Sequence, residues 1–114
     1  MKIAKNKQRQ AKLKILLIED EYKIAEFVLK GLTAAGHQVT HVDDGEQGLA
    51  LILEGTHDVV VLDLMLPKLS GFDVLQQAKA AATVTPIIIL SAKVDLPDRL
   101  KGFEMGADDY LPKP

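Results

Sequence analysis

Five polar residues stand at equivalent places along the chain, each just beyond a short apolar run or strand. Glu19 and Asp20 follow Ile15-Leu16-Leu17-Ile18, and Asp63 follows Val59-Val60-Val61-Leu62. Ser91 follows Ile87-Ile88-Ile89-Leu90, and Lys113 comes just after a short strand around Tyr110. Three carboxylates gathered in one place repel one another. Two unit charges about 4 Å apart cost roughly 4 kcal/mol at an effective dielectric near 20, so a cation has to sit among them. Lys113 is one candidate and a divalent ion the other. The ligands are all oxygens, with no Cys or His, which favours a hard ion such as Mg2+, with Mn2+ or Ca2+ as alternatives. A carboxylate can attack phosphorus and form an aspartyl phosphate. Phosphoryl transfer asks chiefly for positioning and charge neutralisation, and Mg2+, Lys113 and the Ser91 hydroxyl can each take a phosphoryl oxygen.

Singly, most of these residues have ordinary explanations. Acids such as Glu19 and Asp20 stabilise a following helix N-terminus, Ser91 reads as a turn serine and Lys113 as a surface lysine. Asp63 has no such structural duty, and burying it unpaired is costly. The case rests on all five falling at matching strand ends.

The elements that must position them follow from periodicity. The three apolar runs are short and without polar alternation, as in strands buried on both faces of a parallel sheet. Between the first two runs, Ile24, Phe27, Val28, Gly31, Leu32 and Ala35 follow helical spacing, and Gly36 can end that helix. Residues 38–42 read as a second strand. Asp44 reads as the N-cap of a helix running to about Glu54 and stopped near Gly55. A third helix is expected from about Phe72 to Ala81. A fourth is marked by Leu96, Leu100 and Phe103, with Pro97 in its first turn, and a fifth strand covers 109–111. This alternation predicts an α/β fold: a doubly wound parallel sheet of five strands with helices on both faces. In open sheets of this kind sites form beyond the carboxyl ends of the strands, where the five polar residues lie. His37, His41 and His57 are expected between helices and strands, away from that rim. Asp108 and Asp109 read as turn acids.

The chain has 114 residues, enough for one core. Hydrophobic residues make up 47% and charged residues 26%, a balance typical of soluble globular domains. No apolar run approaches the roughly 20 residues of a membrane helix, so no membrane role and a cytoplasmic location are expected. With no cysteine, disulfides and thiolate metal sites are excluded. The net charge of −2 hides an asymmetry: residues 1–14 hold six of the 14 basic residues and no acid. The remainder is acidic and would repel nucleic-acid phosphates. Residues 1–12 are expected to form a basic, disordered arm, and residues 13–114 the folded domain.

The segments KILLIEDE, VVVLDLMLPKLSGFDVL, PIIILSAK and GADDYLPKP, in this order and spacing, resemble the response-regulator receiver domains of two-component signalling over about residues 13–114. They look most like receivers that precede a winged-helix DNA-binding domain. The resemblance implies a flavodoxin-like sheet in the order 2-1-3-4-5, an order for which the general account of such folds itself cites a member of this family. It implies that Asp63 is the phosphoacceptor, served by a sensor histidine kinase. Glu19, Asp20, Asp63 and the Met65 backbone carbonyl would hold Mg2+, with Glu19 acting partly through water. Ser91 would be the switch hydroxyl, Lys113 the phosphoryl partner, and Tyr110 the aromatic whose rotamer reports phosphorylation. The Lys113–Pro114 peptide is often cis in such domains. The implied activity is that of a phosphoacceptor switch rather than an enzyme, with a transcriptional output. DNA would be contacted only through an output domain absent from this chain, and a homodimer is possible through the face of helix 4, strand 5 and helix 5. The chain stops at Pro114, before the expected fifth helix, so a shortened domain with exposed apolar sheet surface is expected. Phosphatases resembling haloacid dehalogenases share Asp, Mg2+ and Lys chemistry, but carry an Asp-x-Asp pair on the first strand. Here Asp63 is on the third strand, and Met65 stands two residues later.

Overall fold

A computed structural model describes residues 12–92 and 96–114. Most of the arm expected at 1–12 lies outside the described residues. Nine elements alternate: β1 (Lys14–Ile18), α1 (Tyr22–Ala34), β2 (Gln38–Val42), α2 (Gly45–Glu54), β3 (Val59–Asp63), α3 (Gly71–Ala80), β4 (Ile87–Ser91), α4 (Leu96–Glu104) and β5 (Asp109–Pro112). The five strands are parallel and lie in the order β2-β1-β3-β4-β5. Four helices are present among the described residues, and none of the described helices is long and apolar enough to cross a membrane.

The strands form where unbroken apolar runs can be covered on both sides. Leu16, Ile18, Val60, Leu62, Ile87 and Ile89 join one buried cluster with Ile52 of α2 and Val74, Leu75 and Ala78 of α3. Alternate residues point to the other face, because the side-chain period of a strand is two. There, Ile15, Val59, Val61, Ile88, Leu90 and Leu111 line an apolar groove of about 430 Å³ flanked by Val28 and Leu32 of α1. Helix ends follow local chemistry. The Asp44 side chain accepts the Gln47 N–H at 2.8 Å, and Gly55 takes the left-handed conformation at the end of α2 (φ 70°). At α3, Ser70 Oγ caps the helix by accepting the Asp73 N–H, and its hydroxyl donates to the Asp73 carboxylate.

Three local expectations are corrected. The spacing of α1 marked Phe27, Gly31 and Ala35 as core-facing, but Phe27 is 66% exposed and Ala25 is the buried residue of this helix. Periodicity finds an apolar stripe, whereas burial requires something for each flank of it to meet. α1 packs chiefly on β2, and nothing described covers the Phe27 flank. The helix after Pro67 begins at Gly71, one residue early, because Ser70 supplies the cap. No peptide bond among the described residues is cis, so Lys113–Pro114 is trans, the commoner form for X-Pro.

Candidate functional site

The parallel register brings the strand ends level. Ile18 pairs with Leu62 on one side and Val42 on the other, Asp63 pairs with Leu90, and Ser91 pairs with Pro112. Glu19, Asp63, Ser91 and Lys113 therefore all emerge at the carboxyl rim. The Lys113 N–H donates to the Ser91 carbonyl at 3.0 Å, which ties the lysine to the end of β4.

Asp63 turns sharply into the following loop. The Gly71 N–H donates to the Leu64 carbonyl at 2.8 Å. A Cβ on Gly71 would stand 2.1 Å from the Asp63 carbonyl oxygen, so only glycine lets the chain return this close to the strand. A second clamp lies further along the same loop, where a Cβ on Gly45 would meet the Leu69 carbonyl at 1.9 Å. Lys68 between them holds a φ of 68°, a region L-residues seldom enter. Met65, in the same loop, is 63% exposed.

One ligand atom from each of Glu19, Asp20 and Asp63 lies within 4.8 Å of the others. Glu19 and Asp63 are buried, while Asp20 is exposed. The Lys113 side chain is only 7% exposed, and its ammonium sits 3.1 Å from Glu19 Oε1 and 3.3 Å from Asp63 Oδ1. These contacts bring charges together but satisfy few hydrogen bonds. Glu19 Oε1 and both Asp63 oxygens are buried without an aligned donor. Burial, followed by the negative charge of Glu19, pushes the Asp63 carboxyl up to about 7, against the opposing pull of Lys113 and the Met65 main-chain amide. Burial by itself would lower Lys113. Its bonds to Glu21 and Glu19 outweigh that and hold it above the usual lysine range.

Buried carboxylate oxygens without donors are costly, and a hard divalent cation satisfies several at once. The all-oxygen donor set, with Asp20 open to water, suits an ion that retains some of its water, as Mg2+ does. The residues present thus fit such an ion.

Two other predicted residues lie beside the cluster. Ser91 is 1% exposed at the end of β4. Tyr110 is 5% exposed, belongs to the core cluster, and has the Arg99 guanidinium 6.0 Å from its ring centroid. Two residues of this rim escape sequence reading. Glu21 reaches across to the Lys113 ammonium; the available signal is that it is the third acid of the run Glu19-Asp20-Glu21. His41 was expected away from the rim, yet its Nε2 lies 2.8 Å from the Glu19 carbonyl. Parallel pairing of β2 with β1 carries it there, since Glu19 N–H also donates to the Val42 carbonyl. His37 and His57 do lie away from the rim. Leu13 N–H donates to His37 Nδ1, and His57 contacts Thr40 and Thr56.

The chain matches the response regulator receiver domain family over residues 15–114. Among curated proteins it is 43% identical over 102 residues to the probable transcriptional regulatory protein SilR of Salmonella typhimurium and to the transcriptional regulatory protein CusR of Escherichia coli. Both matches cover 90% of this chain and 45% of the relative, so the chain spans less than half the length of these proteins. Among solved structures, a Francisella response regulator receiver domain superposes with a TM-score of 0.85 at 37% identity, covering 90% of this chain and 84% of that one. The receiver domain of a Pseudomonas aeruginosa sensor histidine kinase, described with a magnesium ion in its active-site cleft, gives 0.82 at 32% identity, covering 91% and 87%.

Proposed function

From the premise that this chain belongs to the response regulator receiver domain family, we propose that it is a phosphorylatable switch whose acceptor is Asp63. An Asp63 carboxylate oxygen attacks the phosphorus of a phosphohistidine on a sensor kinase. The new P–O bond forms as the P–N bond breaks, and the imidazole leaves with the electron pair. Glu19, Asp20, Asp63 and the Met65 carbonyl would hold Mg2+, which supplies positive charge to the phosphoryl oxygens. Lys113 offers a second positive charge from within the same pocket, and the Ser91 hydroxyl takes a third phosphoryl oxygen. Burial keeps competing water from the Asp63 side chain. The phosphoryl group, with a charge of about −2 in place of the carboxylate's single negative charge, then redraws the balance at Ser91 and Lys113. Tyr110, three residues before Lys113, carries that change toward α4.

Support comes first from one observation: three buried carboxylate oxygens at the strand ends lack aligned donors, beside a buried lysine and within reach of a third acid. The magnesium described in the related kinase receiver is consistent with it. The names of the curated relatives support a transcriptional output, delivered in the cytoplasm through DNA contacts made outside this domain.

Incubation with acetyl phosphate and Mg2+ followed by intact-mass measurement tests the proposal. One added phosphoryl group is expected in the wild type and none in Asp63→Ala. An unmodified wild type, or an equal adduct in the variant, would refute it.

A further inference from the structure

Lys113 has three ammonium hydrogens to give, and its nearest partner is not the acceptor. Nζ lies 2.5 Å from Glu21 Oε1, 3.1 Å from Glu19 Oε1 and 3.3 Å from both Glu19 Oε2 and Asp63 Oδ1. The bond to Glu21 spans 92 positions of sequence. Glu21 occupies the N-cap position of α1, where an acid would ordinarily turn back on its own helix, yet its side chain makes no cap bond. Its main chain is fixed instead, the Glu21 N–H donating to Glu19 Oε2 at 2.9 Å. The carboxylate is thereby aimed outward across the rim at the lysine.

We propose that Glu21 is a positioning residue that parks Lys113 in the resting state and competes with the phosphoryl group for it. The inference rests on the reading of Asp63 as the phosphoacceptor. Glu21 and Glu19 take the better bonds, and the ammonium lies 3.3 Å from Asp63 Oδ1 without an aligned hydrogen bond to it. A phosphoryl group on Asp63 must draw Lys113 away from Glu21 before it gains a full charge-assisted hydrogen bond. Glu21 therefore weights the equilibrium toward the unphosphorylated form. Its side chain is 58% exposed, so solvent screens the contact and the effect is a few-fold rather than many orders of magnitude.

Affinity for beryllofluoride in the presence of Mg2+, a phosphoryl mimic at the acceptor carboxylate, reads this competition directly. Glu21→Gln keeps the shape and weakens the hold on Lys113; binding about fivefold tighter than wild type is expected. Glu21→Asp keeps the charge but is one methylene too short to reach, and should recover most of that gain. A role in folding alone would lower urea stability and weaken binding together, the opposite sign. Unchanged or weaker binding in Glu21→Gln, or wild-type binding in Glu21→Asp, would overturn the parking role. No beryllofluoride binding by the wild type would instead remove the reading of Asp63, and this inference with it.

Discussion

Where strands begin, the Asp58 carboxylate accepts the main-chain N–H of Lys14 at 2.7 Å, and that of Asp108 accepts the N–H of Ile87 at 2.8 Å. Where strands end, Glu19 and Asp63 are far more deeply buried, yet three of their four carboxylate oxygens find no aligned donor. The same residue class sits at both edges of one sheet in opposite states. At the opening edge, acids meet amides of the first residues of β1 and β4 and close the ladder; they are structural. At the closing edge, acids face one another across the ends of β1 and β3, and among the described residues Lys113 is the cation that offsets their charge. Unmet demand, rather than acidity or burial alone, separates a site from a staple.

The sharpest way to break this contrast is Asp63→Asn, read against pH. In the metal-free protein the Asp63 carboxyl is pushed up to about 7 from an ordinary 3.8. The folded state then binds the proton more tightly than the unfolded chain, so stability falls as pH rises between those values. The contribution is complete below about pH 4 and lost as pH passes through about 7. Wild-type urea stability should decline relative to Asp63→Asn from pH 5 to pH 8, by up to a few kcal/mol at about 1.4 kcal/mol per pH unit. Above neutrality the variant should be the more stable protein. Parallel curves would mean that the Asp63 charge is already well compensated.

A smaller effect sharpens the other side. Asp108→Ala leaves the Ile87 amide without its carboxylate, and Asp58→Ala does the same to that of Lys14. Each should cost about 1 kcal/mol in urea unfolding while leaving Mg2+ affinity at the far rim unchanged. A shift in Mg2+ affinity from either variant would show that the two edges are not independent.

Much of this contrast is legible in the residues. Val59-Val60-Val61-Leu62 lacks alternation because both faces of β3 meet apolar surroundings, Val60 and Leu62 in the buried cluster and Val59 and Val61 along the groove beside α1, and such a run places its following Asp63 at a strand end. Asp44 and Gly55 mark both ends of α2 because capping is local chemistry. What stays hidden depends on partners distant in sequence. Nothing near Glu21 or Asp108 says that one will reach Lys113 and the other Ile87. The exposure of Phe27 follows from what lies beside α1, which periodicity does not encode. The left-handed Lys68 follows from the two glycine clamps that hold its loop, at Gly45 and Gly71, rather than from its own preference. The groove between α1 and the sheet is lined by Ile15 and Leu90, which are buried, and by Val61 and Ile88, which are half-buried.

Thermal unfolding across a Mg2+ titration at pH 8, in wild type and Asp63→Asn, tests most directly whether the closing-edge acids await a cation. An ion that binds only the folded state raises the melting temperature progressively with its concentration. The wild type should climb steadily and the variant should remain nearly flat, reversing their order of stability at high Mg2+. Equal responses in the two proteins would contradict the account.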